Sequence, residues 1–134
     1  IGKAITLREG SEITIIANGT MVYESLEAAK ILELEGFSAT VVNMHTIKPL
    51  DTSVIDKAVA SSKLIVSVEE HSVIGGLGST IAEYKTAHRN APPQLIIGLP
   101  DCFGMVGEYR YLLDKYGLTA KQIAEKIVKQ YERA

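Results

Sequence analysis

The 134-residue chain has no tryptophan, one cysteine, four prolines and only 6% aromatic residues. A single cysteine, Cys102, excludes an internal disulfide framework and a Cys-rich metal site, and it fits a reducing compartment, so the cytoplasm is the expected location. Charge of one sign is also lacking. Fourteen Lys plus Arg stand against sixteen Asp plus Glu, a formal charge of −2, with no block of like charge. That balance argues against a nucleic-acid partner or an anionic membrane surface. The longest apolar runs cover about five residues, such as Ile13 to Ala17 broken by Thr14, against the roughly 20 that a bilayer span needs. No signal or transit peptide pattern is visible. What is present, 46% apolar and 22% charged residues, is the composition of a globular domain. At this length such a domain buries about two thirds of its unfolded surface. Residues 1–134 are therefore expected to form one domain, and a start on Ile1-Gly2-Lys3 without methionine leads us to expect a piece of something longer.

Turn signals recur at the spacing of βα units. The β-branched run Ile13 to Ala17 leads into Asn18-Gly19-Thr20, where Thr20 is expected to cap a helix carrying the stripe Val22, Leu26, Ala29 and Leu32, ended by Gly36. A second strand, Ala39 to Met44, precedes the caps Asp51-Thr52 and a helix burying Val54, Ile55, Ala58 and Val59. A third strand, Leu64 to Val68, leads to Glu69-Glu70-His71 and Gly75-Gly76-Leu77-Gly78, then a helix to about Arg89 closed by Asn90. The fourth strand is Leu95 to Leu99, followed by a short helix from Tyr109 to Lys115 that Gly117 stops. Thr119 with Gln122 forms a capping box, with Leu118 and Ile123 at the staple positions, for a last helix burying Ile123, Ala124, Ile127, Val128 and Tyr131. Strands apolar on both faces and separated by helices imply a parallel sheet covered on both sides. Ala4 to Leu7 reads as one more strand. The short turn Arg8 to Glu12 leaves no room for a crossover helix, so that strand is expected antiparallel on a sheet edge.

Ligands of open α/β sheets sit beyond the carboxyl ends of the strands at the switch point. If the first and third core strands are neighbours, Asn18, Thr20, Glu70, His71 and the loop with Gly75, Gly76 and Gly78 face one crevice. That loop precedes a helix N-terminus, where free amides and the helix dipole attract anions. It is neither GxGxxG nor a P-loop, so its glycines serve either a tight turn or a phosphate or carboxylate effector. Glu69 and Glu70 point to opposite faces of an extended strand and cannot make a close carboxylate dyad. His71 is read first as a structural hydrogen-bond former and second as an acid/base group. Ser72, Ser79 and Cys102 lack the GxSxG elbow or a basic neighbour that would activate a nucleophile. His45, His71 and His88 share no metal-ligand spacing, and His88 reads as a complement to a helix C-terminus. Phe103, Met105 and Val106 cluster in a Gly-flanked loop that either folds back over the sheet or contacts another domain or subunit.

Five segments in order then carry a resemblance over almost the whole chain. They are Gly2-Lys3-Ala4 through Leu7-Arg8-Glu9-Gly10, Ile47 to Asp51, Val68 to His71 with Gly75 to Gly78, Phe103-Gly104, and Lys115-Tyr116-Gly117-Leu118-Thr119. The chain resembles the carboxy-terminal domain of transketolase, which also closes 1-deoxyxylulose-5-phosphate synthase and the β subunits of 2-oxoacid dehydrogenase E1 components. The resemblance implies a three-layer α/β/α sandwich with a five-stranded, mostly parallel sheet and one antiparallel edge strand. It implies part of a transferase of carbohydrate metabolism and the pentose phosphate pathway. That enzyme is homodimeric, depends on thiamine diphosphate and a divalent metal, and moves a ketol unit between sugar phosphates. In this family the cofactor lies between the other two domains. Their activating glutamate and GDG-to-Asn motif have no counterpart here, so no catalytic, cofactor-binding or metal residue carries over. The isolated domain is expected to be inactive, with a packing, dimer-stabilising or regulatory role beside other transketolase domains or an amino-terminal subunit. Met105-Val106 and Asn18 depart from the family pattern, the first favouring a buried or interface role for that loop. An anion-binding regulatory module at the crevice and a docking domain of the E1-β kind remain as alternatives.

Overall fold

The computed structural model describes residues 3–45, 49–72, 76–99 and 109–133. In chain order the elements are β1 (Ile5–Arg8), β2 (Ile13–Ala17), α1 (Met21–Leu34), β3 (Ala39–Asn43), α2 (Thr52–Ser61), β4 (Leu64–Ser72), α3 (Leu77–Lys85), β5 (Gln94–Leu99), α4 (Tyr109–Lys115) and α5 (Ala120–Arg133). The strands form one sheet in the order β1-β3-β2-β4-β5. β3, β2, β4 and β5 are parallel neighbours, while β1 runs antiparallel to β3 on the edge. The fold class, the edge strand and the pairing of the first and third core strands agree with the sequence reading.

Every residue of β2 is buried, as its unbroken apolar run requires of a strand covered on both faces. Alternate side chains feed two cores. Ile13, Ile15 and Ala17 join Val41, Val66 and Val68 with Ala28, Ala29 and Leu32 of α1, and Ile123, Ala124 and Ile127 of α5. On the other face Ile16, Val42 and Ile65 meet Ile55 and Ala58 of α2 and Leu77 and Ile81 of α3. Each fully buried isoleucine or leucine contributes about 1.5–3 kcal/mol relative to exposure, so the sheet is pinned from both sides.

Helix ends follow the sequence signals closely at α1, α4 and α5. Gly36 (φ +91) ends α1, with the Phe37 amide donating to the Leu32 carbonyl at 2.9 Å, and Gly117 (φ +74) ends α4, with Leu118 donating to Leu113 at 2.8 Å. The Thr119–Gln122 box forms reciprocally: the Gln122 amide donates to Thr119 Oγ1 and the Thr119 amide to Gln122 Oε1, both at 3.3 Å. Elsewhere the structure corrects the expectation. Thr20 stands at the N-cap position of α1, but its hydroxyl accepts no helix amide. The chain is already wound at Thr20 (φ −69, ψ −17), because Met21 and Val22 donate to the Asn18 and Gly19 carbonyls. The buried face of α1 is Met21, Glu24, Ser25, Ala28, Ala29 and Leu32, with Val22 and Leu26 on its flank. α3 stops at Lys85, not Arg89, as Thr86 to Asn90 turn away with Asn90 at φ +57. β4 runs on to Ser72, so Glu69, Glu70 and His71 belong to the strand and not to a loop after it.

Candidate functional site

The order reversal in the sheet falls between β2 and β4, and the register partner of Ala17 on β4 is Val68. Asn18 therefore emerges level with Glu69, and its amide donates to the Val68 carbonyl at 3.4 Å. Gly19 (φ +59) turns the chain into α1, a conformation that favours glycine. Asn18 is half-buried and Thr20 exposed at this rim. The backbone of Glu70 and His71 continues β4 beside them; their side chains, Gly75 and the loop holding Phe103, Met105 and Val106 lie outside the described residues.

The other wall of the crevice is the N-terminus of α3. Ile65, Ser67 and Glu69 alternate along β4, and Ile65 packs in the core beneath α3, so Glu69 also points to that helix. Glu69 is fully buried, and its two carboxylate oxygens accept the Leu77 amide at 2.8 Å and the Gly78 amide at 2.9 Å. A carboxylate on a helix N-terminus gains from both the free amides and the dipole, which compensates its loss of water. Gly76 makes room for this contact, and Gly78 for the close approach of α3 to β4 and β5. A Cβ on Gly76 would stand 2.4 Å from Glu69 Oε1, and one on Gly78 would stand 2.7 Å from Ser67 Oγ and Ile96 Cγ2. The two amides that would have met an external anion are thus engaged by the chain's own side chain. Sequence reasoning weighed Glu69 only as half of a dyad. The missed signal was an acidic residue following a strand run that is apolar except for Ser67, since a buried charge demands partners.

Glu24 repeats the device. It is buried on α1 and accepts the Ala120 amide at 2.9 Å, the first residue of α5. Sequence distance hid this pairing of two helices 96 positions apart.

Among the described residues, two further titratable groups link elements of the fold. His88 lies beyond α3 and its Nε2 is 2.9 Å from Asp56 Oδ1, which also accepts the Tyr84 hydroxyl at 2.8 Å. The tyrosine hydroxyl first, and then His88, hold the Asp56 carboxyl below its usual range. The same bond pushes the Tyr84 phenol up. Asp51 caps α2 by accepting from Ser53, and its other oxygen takes the Ala4 amide at 2.7 Å, tying β1's entry to that helix. The Ser53 hydroxyl is the main reason that its carboxyl lies below the usual range, followed by the Ala4 amide. Among the described residues no three His, Cys, Asp or Glu side chains are grouped as metal ligands.

With the geometry placed, comparison with known proteins decides the family. The model of the transketolase C-terminal domain matches residues 2–123. The chain belongs to the transketolase C-terminal domain family. It is 45% identical over 134 residues to the 6-deoxy-6-sulfo-D-fructose transketolase subunit SqwH of Clostridium sp. (strain MSTE9), covering 99% of this chain and 41% of that protein. It is 41% identical to the 1-deoxy-D-xylulose-5-phosphate synthase of Chlorobium luteolum (strain DSM 273 / BCRC 81028 / 2530), covering 97% of this chain and 21% of that one. A solved structure described as a split gene transketolase, inactive β4 tetramer, superposes with a TM-score of 0.86 at 41% identity, over 96% of this chain and 41% of that one. This transketolase C-terminal domain thus spans less than half the length of these relatives, as a domain of a larger chain or a split subunit.

Proposed function

We propose that this domain is the carboxy-terminal part of a thiamine diphosphate-dependent, transketolase-type enzyme of sugar-phosphate metabolism. Its role there is to pack, stabilise the dimer or regulate, with no catalytic side chain of its own. The observation that carries this reading is the filled strand-end crevice: the α3 amides, the feature best suited to a phosphate, are engaged by Glu69. The described residues do not fit a site for the diphosphate and its metal, because their acidic side chains are dispersed into separate caps and ion pairs. In the complete enzyme the cofactor would supply the ketol-transfer chemistry between two other domains, in a cytoplasmic homodimer. The likeness to a split gene transketolase and to a transketolase subunit supports an amino-terminal partner that brings those domains.

Complementation tests the reading. The chain alone should transfer no ketol unit between sugar phosphates. Activity should appear when the diphosphate-binding and pyrimidine-binding domains are supplied. Turnover by these 134 residues alone would refute the proposal. Calorimetric titration with sugar phosphates and nucleotides should give a flat trace, and a saturable signal would instead favour an anion-binding module at the crevice.

A further inference from the structure

We propose that β1 is a self-association surface, pairing antiparallel with β1 of a second copy across a two-fold axis to join two sheets into one. β1 ends the sheet, and no strand covers its outer side among the described residues. The opposite edge differs: Gln94 to Gly98 of β5 are half-buried or buried, and Leu95 packs on the core. On β1, Ile5, Thr6 and Leu7 are all exposed, and Ile5 and Leu7 keep 52% and 45% of their surface in water. An open edge bearing two large apolar side chains is a template for another strand unless something covers it.

The local sequence favours a second copy as that strand. With Thr6 opposite Thr6 of the partner subunit, the antiparallel register sets Ile5 against Leu7 of the partner subunit. The same register sets Lys3 against Glu9 of the partner subunit, at both ends by symmetry. Lys3 and Glu9 are exposed, and among the described residues Glu9 makes one loose ion pair, a 3.9 Å contact with Lys57. Slipping the register by one residue would lose the apolar matches and the charge matches together. The strand has four residues and a bulge between Thr6 and Arg8, so the ladder is short and the association depends on concentration. This inference rests on the homodimer reading above and names the surface for it.

Cysteine cross-linking in the full chain, with Cys102 replaced by serine, tests both the surface and the register. Under mild oxidation Thr6→Cys should give roughly tenfold more disulfide-linked dimer than Leu34→Cys, a site 89% exposed on α1, because pairing raises the local thiol concentration. Ile5→Cys mixed with Leu7→Cys should cross-link, and neither should do so alone. Light scattering should show a dimer that Leu7→Lys reduces to monomer without unfolding. A dimer mass with no Thr6→Cys cross-link would overturn the edge assignment and leave the homodimer reading standing. A monomer mass without cross-links would overturn both, and protection of position 6 only by an amino-terminal partner would assign the edge to that partner instead.

Discussion

Replacing Glu69 removes the acceptor of two buried amides at the start of α3. Each hydrogen bond to a charged group contributes about 1.5–3 kcal/mol, and each stranded donor keeps its desolvation cost. Glu69→Ala should therefore destabilise the chain by about 3–5 kcal/mol, a large part of the 5–15 kcal/mol of a typical domain. Glu69→Gln should cost less, about 2–3 kcal/mol, since the amide oxygen satisfies one donor while its NH2 group faces the other. Urea unfolding followed by circular dichroism reads this as a shift in midpoint at constant slope. A cycle with Gly76→Ala isolates the contact. The new Cβ would fall 2.4 Å from Glu69 Oε1, so that substitution should cost about 1–3 kcal/mol in the wild type and little once Glu69 is alanine. A Glu69→Gln variant within about 0.5 kcal/mol of wild type, or additive effects in the cycle, would refute the account of the crevice.

Gly10→Ala should cost more than about 2 kcal/mol, because its Cβ would lie 2.3 Å from the Ala39 backbone carbon, which no side-chain rotation relieves; thermal unfolding checks it. Thr119→Ala removes half of the capping box and should cost about 1 kcal/mol while leaving turnover of the complete enzyme unchanged. For Asp51, the folded-state pKa lies below the unfolded one, so its contribution is present above the unfolded value and is lost as pH falls through the folded value. Asp51→Asn should thus be about 1 kcal/mol less stable than wild type at pH 7. The gap should narrow below about pH 4 in paired urea titrations, and a constant gap would contradict the assignment.

Much of the architecture was legible in the sequence because it depends on local signals. Gly36 and Gly117 mark the left-handed ends of α1 and α4, and Thr119 with Gln122 marks the start of α5. The short turn after β1 excluded a parallel crossover. What stayed hidden depends on long-range contacts. Glu24 reaches Ala120 across 96 positions, and the role of Glu69 appears only once α3 folds back over β4. Thr20 has a capping residue's chemistry but a helical backbone, since the first turn starts from the Asn18 carbonyl. His88 was assigned to a helix end that had already stopped at Lys85. Glu24 and Glu69 thus depend on tertiary contacts, whereas the start of α1 and the end of α3 are set by local backbone hydrogen bonds.

The most direct test of the central claim is ketol transfer from a sugar-phosphate donor to an aldose phosphate acceptor, measured on the complete enzyme carrying side-chain changes in this domain. A conservative Asn18→Ser change at the crevice rim, in protein shown to be folded, should leave kcat and KM within about twofold of wild type, a difference below about 0.5 kcal/mol. A fall in kcat of roughly a hundredfold or more at unchanged stability would place a catalytic group at these strand tips and contradict the account.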